Sequence, residues 1–557
     1  MNRFIGPIVF IGPIVQRLAV CGLSVVTMFL CGGRSVSGQA LPLVIDYSQL
    51  ANPALSGSSV YVTFYSTKTG TLTLDPSGTP ESIVFKSGTG TVVNGGTYAG
   101  QSIASGTYAT TRAYSLAEIE QKGLRINDVT SLSGYISYGG AQGIQALGFG
   151  TQPSNGDLST SRYSQFELTY NGTTGGGFDL TNITHFGGSL GMAMMAGSGT
   201  QSYVKNTLNT GDMFRALAGT TILGTSSPAV IQQSGTFVHM IGSNAYITSQ
   251  GVYPTYNQYL QSLYAASGTA AVVSLQGANA TPPGPAYIAS GSTTVSSGSN
   301  YGLTYYMTAQ LNQAAAPGGS FPYGTYGLTV SGSVVATPIG WSGASGTYTN
   351  LQLTVGPDTS GGSANALSMT NFMYAQNTSN SVSGSSGWSD LITDFGADNV
   401  SAAIQQKALG DFSQGIMAGL VGSGTTPPGG TETFGQMSSN EWFATKTFQG
   451  SAYSGAQANA AFYNPYGNVV NRNSEVGIVG TGTYFGGVYG VPYDDRWANN
   501  LLATNLSTTS VKVWLLPDGD LSVNPVPEPS VAALLSVAGA TLCGLQWRRR
   551  SGRTGRG

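Results

Sequence analysis

Charge is what this sequence has least of. Asp, Glu, Lys and Arg make up 8% of its 557 residues, against roughly 25% in ordinary soluble domains, so Ser, Thr, Asn, Gln, Gly and Tyr must meet the water. Such a surface suits an exported protein working among neutral polymers. Cysteine is nearly absent too: Cys21 and Cys31 fall in an N-terminal apolar stretch and Cys543 in a C-terminal one. The body between them has none, which excludes a disulfide framework or a cysteine metal site there and leaves stability to a large core. Histidine occurs twice, at His185 and His239, so a catalytic triad or a His-rich metal site has little to draw on. No P-loop, dinucleotide fingerprint, HExxH helix or nucleophile elbow occurs.

What is present begins with the two ends. Arg17, an apolar run from Leu18 to Cys31 and small residues up to Ala40 have the layout of a signal peptide, with cleavage expected after Ala40. A retained membrane anchor is the alternative, although the run is shorter than the roughly 20 residues that span a bilayer. The duplicated FIGPIV ahead of Arg17 is unusual for an n-region. At the other end an apolar run from Val531 to Trp547 is followed by Arg548, Arg549 and Arg550, a cluster expected to stay on the cytoplasmic side. Eight of the 21 basic residues and one of the 23 acidic ones lie in these ends. The body from Leu41 to Val526 therefore holds 13 basic and 22 acidic residues, a net of −9. Nucleic acid is an unsuitable partner for it, since phosphate neutralisation needs a basic face.

The body opens with short alternating runs such as "LPLVIDYSQL", "SSVYVTFYST" and "GTLTLDPSG", broken by Gly, Ser, Asn and Pro, as in antiparallel strands of a sandwich or barrel. "SLAEIEQKGLRIND" is a helix candidate, with Ser115 as cap, Glu118 completing a capping box and Gly123 as the stop. Between Arg215 and Asp390 the one charged residue is Asp358. This segment is Gly/Ser/Thr-rich with β-favouring runs, and at "ASGSTTVSSGSN" a low-complexity loop competes with a strand. Tyr256, Tyr259, Leu260 and Leu263 mark an amphipathic helix whose stripe suits a core better than a ligand platform. Val400, Ile404, Ala408, Phe412 and Ile416 mark another.

The chemistry left is that of carboxylates. Glycosidic hydrolysis needs an acid for the leaving oxygen and a base or nucleophile across the sugar, usually two Asp or Glu residues. In "SQFELTY" the alternation puts Phe166 and Leu168 on one face and Glu167 with Thr169 on the other. Glu167 is the candidate acid, with a solvated strand glutamate as the plain alternative. A Gly-rich turn follows, and then a second strand ending at His185.

These motifs resemble glycoside hydrolase family 64, the laminaripentaose-producing β-1,3-glucanases related in shape to thaumatin-like proteins. The family's acid strand, E-[YF]-T-[FY]-N, is matched by Glu167, Leu168, Thr169, Tyr170 and Asn171. Its second strand, N-x-T-x-V-D-[FM]-x-G, lines up with Leu180, Thr181, Asn182, Ile183, Thr184, His185, Phe186, Gly187 and Gly188, agreeing at Phe186 and Gly188 and placing His185 where the family has its catalytic Asp. "MFRALAGTTILGTSSP", "YPTYNQYLQSLY" and "VYGVPYDDRW" add thinner similarities over most of residues 41–520. The resemblance implies a mainly β fold: a thaumatin-like sandwich or barrel domain, a mixed α/β second domain, and a groove between them for a neutral β-glucan. It implies an inverting mechanism, with carboxyl groups about 6.5–9.5 Å apart, no cofactor and no metal. The expected organisation is a signal peptide over 1–40, a β-rich glucanase-like domain over 41–215, the mixed second part over 216–525 and a sorting segment over 526–557.

His185 leaves three readings open. The imidazole serves as an unusual base near its ordinary pKa of about 6.5; Asp179, six residues earlier and on the same face of an unbroken strand, takes the role; or the groove binds glycan without cutting it. Thr169, Asn171, Phe178, Asn182, Asp494 and Asp495 are candidate sugar contacts, the two aspartates equally suited to a structural turn. Val526-Pro527-Glu528-Pro529, one apolar helix and an Arg cluster resemble a PEP-CTERM sorting signal. That resemblance implies export in a Gram-negative bacterium, a transient inner-membrane anchor, processing by an exosortase-type enzyme, and a place at the cell surface or in extracellular polysaccharide. A β-1,3-glucanase and a non-catalytic glycan-binding or structural matrix protein both fit. A purely adhesive surface protein is a third class, one that needs the low-charge central segment to form its own exposed sheet with no groove.

Overall fold

In the first strand, β1 (Leu41–Asp46), Leu41, Leu43 and Ile45 are buried while Val44 is 47% exposed. The computed structural model describes residues 40–50, 52, 55–66, 70–74, 81–85, 92–94, 113–140, 161–172, 175–197, 199–243, 252–254, 259, 272–273, 287–295, 299–314, 325–339, 346–355, 415–426, 431–436, 464–478, 482–490 and 508–523. Apart from Ala40, the expected signal segment lies outside the described residues. So do Asp494, Asp495 and the sorting residues Pro527, Glu528, Pro529, Arg548, Arg549 and Arg550.

After β1 come β2 (Val60–Ser66), β3 (Gly70–Leu74), β4 (Glu81–Phe85), β5 (Val92–Asn94), β6 (Tyr114–Ser115), β7 (Leu124–Tyr138), β8 (Arg162–Asn171), β9 (Gly175–Leu180), β10 (His185–Phe186), β11 (Leu190–Ala196) and β12 (Gly199–Asn206). The later chain adds β13 (Val230–Gln233), β14 (Thr236–Ile241), β15 (Val272–Val273), β16 (Tyr287–Val295), β17 (Ser299–Ala314), β18 (Thr325–Ile339), β19 (Gly346–Val355), β20 (Ser474–Ile478), β21 (Gly482–Phe485) and β22 (Ser510–Leu515).

The molecule is mainly β. A 14-stranded mixed sheet runs β21-β20-β12-β11-β22-β1-β7-β3-β4-β5, and β2 and β8 also pair with the long β7, carrying β6 and β9. Its one parallel step within this order is β1 against β22, with Leu43 opposite Val511 and Ile45 opposite Val513. β22 is antiparallel to β11 on its other side. A three-stranded sheet, β10-β14-β13, lies apart in pairing, and the low-charge central segment forms a five-stranded sheet of its own, β15 to β19. Strand wins the competition at "ASGSTTVSSGSN", which supplies the end of β16 and the start of β17 paired as a hairpin.

Helix α1 (Leu116–Lys122) follows the sequence signals. The Ser115 side chain accepts from Glu118 N–H at 3.1 Å, and Gly123 ends the helix at φ +79°, a conformation glycine adopts without strain. Helix α2 (Thr210–Ala218) is capped by Asn209 and buries Met213, Phe214 and Leu217. Phe214 stacks on Phe237 of β14 with ring centres 5.0 Å apart and meets Phe186 edge-on at the same distance. Helix α3 (Pro465–Arg472) starts with Pro at N1 after the Asn464 cap. One hydrophobic cluster joins β1, β2, β8, α2, β14, α3 and β22 through Leu41, Phe64, Phe166, Met213, Phe237, Tyr466 and Val513. Of the expected helix at Tyr253–Ala266, Tyr259 is helical and buried, its hydroxyl donating to the Val421 carbonyl. Tyr259 thus sits in the core, while Tyr256, Leu260 and Leu263 of the stripe lie outside the described residues.

Candidate active site

The carboxylate site is built on β7, β8 and β9. Phe166 and Leu168 of β8 face the core, so Glu167 and Thr169 face the other way, half-buried and exposed respectively. Glu167 stands opposite Ser133 of β7 on one side and opposite Asp179 of β9 on the other. Directly opposed residues on neighbouring strands have Cβ atoms about 4.5–5.5 Å apart and share one face. Glu167 and Asp179 are therefore neighbours by register. Close approach of β8 and β9 depends on Gly176, where a Cβ would come within 1.9 Å of the Thr169 carbonyl oxygen.

Burial pushes the Glu167 carboxyl up from 4.5 to about 7, because a low-dielectric surrounding disfavours the ion. Its Oε1 accepts from Gln165 Nε2 at 3.0 Å, and the same amide reaches Ser133 Oγ at 3.3 Å. Tyr135, opposite Gln165, has its phenol raised above 10 by burial and further by the Glu167 charge. Asp179 is 8% exposed. Two carboxyl groups, one kept protonated towards neutrality and one beside it, are what acid-assisted cleavage of an acetal requires.

His185 is not on the strand that carries Asp179, contrary to the continuous second strand expected from sequence. β9 ends at Leu180 because the chain turns to a new partner: Tyr489 N–H donates to the Leu180 carbonyl and Asn182 N–H to the Tyr489 carbonyl. His185 then pairs with Ile241 of β14 in the small sheet. Its ring is 7% exposed and lies against Tyr163, ring centres 5.6 Å apart. Tyr163 is four residues from Glu167 along β8, roughly 13 Å at strand rise. Burial, with His239 nearby, lowers the His185 pKa to about 3, so it is neutral at physiological pH. The inference that Asp179 shares a strand face with His185 fails with the break after Leu180; Asp179 meets Glu167 through a different route, the β8–β9 pairing.

Thr169 stands on the Glu167 face opposite Gly177, and Asn171 opposite Gly175 at the turn end of the hairpin. Phe178, expected as a sugar contact, is fully buried in the hydrophobic core. The alternation that turns Asp179 towards Glu167 turns Phe178 away. Asn182 is also buried, and its backbone carbonyl accepts from the Tyr466 hydroxyl at 2.7 Å. Sequence reasoning missed Ser133, Gln165, Tyr135 and His239. For Gln165 the signal was available, since it shares the odd-numbered face of β8 with Glu167.

Solved GH64 β-1,3-glucanases resemble the chain distantly. A GH64 β-1,3-glucanase domain from Clostridium beijerinckii aligns over 87% of this chain and 100% of its own at 12% identity, with a TM-score of 0.42. A laminaripentaose-producing β-1,3-glucanase in complex with laminaritetraose gives 86%, 99%, 12% and 0.40. A Paenibacillus barengoltzii family 64 enzyme complexed with laminarihexaose covers 40% of this chain and 52% of its own, at 12% identity and a TM-score of 0.26. No family model and no curated protein matches the chain. A cavity of about 650 Å³ lies elsewhere, lined by Asp46, Tyr47, Glu120, Lys122, Arg125 and Lys512 among others, and neither Glu167 nor Asp179 borders it.

Proposed function

We propose that this protein hydrolyses a neutral β-1,3-glucan, with Glu167 as proton donor and Asp179 as the carboxylate that assists from the other side of the sugar. The observation that carries the proposal is the register of β8 and β9, which sets the two carboxyl residues opposite one another. The raised Glu167 carboxyl supports its role as acid, because a group titrating at about 7 still holds its proton where cells work. The match of Glu167 to Asn171 with the acid strand of family 64, read from sequence, supplies the substrate class. His185 takes no part in proton transfer in this reading, being neutral, buried and remote from Glu167.

The position of His185 favours a second reading. Where the family resemblance puts a catalytic carboxylate, this chain has a buried neutral ring, and a groove so altered would hold glycan without cleaving it. Reducing-end release from laminarin separates the two. Release by the purified protein that vanishes in both Glu167→Gln and Asp179→Asn supports hydrolysis; no release, with laminarin still retarding migration in an affinity gel, supports the binding role and sinks the enzymatic one. In either reading the protein is exported to a polysaccharide-rich surface, with the Pro527-Glu528-Pro529 segment as its sorting signal. The low charge and the order of elements in the two ends support this, and the C-terminal mass of the mature protein tests it.

A further inference from the structure

The chain's two histidines are distant in sequence, yet the fold packs both against Tyr163. The three rings come from three strands, β8, β10 and β14. Their centres form a nearly equilateral triangle: 5.6 Å from Tyr163 to His185, 5.6 Å from Tyr163 to His239, and 6.1 Å between the imidazoles. Strand pairing explains the convergence, since His185 opposes Ile241 and His239 is the diagonal neighbour two residues away on the same face. Tyr163 is 1% exposed, His185 7% and His239 0%.

Four polar atoms in this triangle have no hydrogen-bond partner among the described residues: both ring nitrogens of His185, Nε2 of His239 and the Tyr163 hydroxyl. A buried polar atom without a partner is costly, so a cluster of four calls for an occupant. The tautomer of His239 is fixed. Its Nδ1 lies 3.1 Å from the Ser161 carbonyl, which can only accept, so Nδ1 carries the proton and the buried Nε2 keeps a bare lone pair. An imidazole held at one nitrogen by a carbonyl and open at the other is the usual state of a metal-ligating histidine.

We propose that Tyr163, His185 and His239 form a binding site for one divalent transition-metal ion of the zinc or copper class. Metal–nitrogen bonds of about 2.0–2.1 Å bring two imidazole centres to roughly 5–6 Å, close to the separation seen. Imidazole and phenol donors select such ions over magnesium or calcium, which prefer carboxylates and carbonyls. Three protein ligands leave a fourth position for water. The ion braces the main sheet at β8 to the small sheet at β10 and β14. At roughly 13 Å along β8 from Glu167, it is too distant to polarise a sugar bound there, so its role is structural.

The test uses the full chain without a histidine tag, stripped with a chelator and titrated with Zn²⁺ by calorimetry and with Co²⁺ by visible absorption. One equivalent should bind, with ligand-field bands for Co²⁺ and a higher thermal midpoint with Zn²⁺. Because the chain has no other histidine, His185→Gln/His239→Gln should abolish the bands. Tyr163→Phe, which keeps the ring packing, should weaken binding about 10-fold or more. Absence of binding to the wild type overturns the proposal, as does binding that both variants leave unchanged; water then fills the triangle. Should the double-histidine variant not fold, wild-type Co²⁺ bands and the Tyr163→Phe affinity decide alone.

Discussion

Arg162 gives the most demanding test of how this fold is held. Its guanidinium is buried and grips Asp518 at both ends, with Nη1 donating to Oδ2 at 2.9 Å and Nη2 to Oδ1. Nε donates to the Gly187 carbonyl at 2.6 Å, and the guanidinium carbon lies 4.1 Å above the Tyr138 ring. One side chain thus ties β8 to the segment after β22 and to the turn beyond His185. In Arg162→Met the Asp518 carboxylate stays buried, with Asn52 Nδ2 at 3.3 Å still donating to it. Breaking a buried pair from one side costs about 3–5 kcal/mol, a large part of a typical total of about 5–15 kcal/mol. Asp518→Leu should cost a similar amount, whereas Arg162→Met/Asp518→Leu should recover most of it, because no unpaired charge remains. Equilibrium unfolding in urea, followed by tryptophan fluorescence with Trp514 close by in sequence, measures all four corners of the cycle. High salt should leave the losses in place, since a buried pair is poorly screened. Single variants each losing under about 1 kcal/mol, or losses that simply add in the double variant, would refute the reasoning.

Three further outcomes are expected. Glu167 has a folded pKa of about 7 against 4.5, so its contribution favours folding below pH 4.5 and is lost as pH rises through 7. Relative to Glu167→Gln, the wild type should lose at most about 3 kcal/mol between pH 4.5 and 8, less for partial exposure, and any glucanase activity should fall above pH 7; a flat difference in denaturation midpoint across that window would contradict the assignment. Opposed strand positions start about 4.5–5.5 Å apart at Cβ, nearer the about 5–5.5 Å carboxyl spacing of retaining enzymes than that of inverting ones. Proton NMR of the first product should therefore show retention, a departure from the inversion that the family resemblance implies, and inversion would mean that Asp179 is not the second group. Gly176→Ala should force β8 from β9 by its clash with the Thr169 carbonyl, destabilise by about 1–3 kcal/mol and return the Glu167 pKa towards 4.5, read by carboxyl-carbon NMR titration.

Local rules carried part of this architecture into plain view. Ser115, Glu118 and Gly123 announced α1 because capping is settled within a few residues. The alternation of Phe166 to Thr169 announced which way Glu167 faces because strand period is local too. Which strand lies beside Glu167 is not a local matter. The break at Leu180 depends on Tyr489, some 300 residues later, offering its backbone, and no pattern within "FDLTNITHF" encodes that competitor. Treating the stretch as one strand was reasonable from its β-favouring residues, and it hid both the Glu167–Asp179 opposition and the departure of His185. Phe178 shows the same limit from the other side: an aromatic near a candidate acid invites a sugar-stacking role, and only the register reveals that it belongs to the core.

The pairing of β1 with β22 also sets a timetable. β22 lies in the interior of the sheet order, between β11 and β1, so the main sheet stays split until residues 510–515 exist. At about 5–20 residues per second of synthesis, roughly 25–95 s separate the first strand from the one that joins its two halves. Once β11 (Leu190–Ala196) is made, β1 and β11 each present a row of unmet backbone groups until β22 arrives, the kind of edge that recruits the wrong neighbour. A ribosome-bound chain halted before Ser510 should therefore be protease-sensitive and holdase-bound, and release of a few more residues should convert it to a resistant form in a single step.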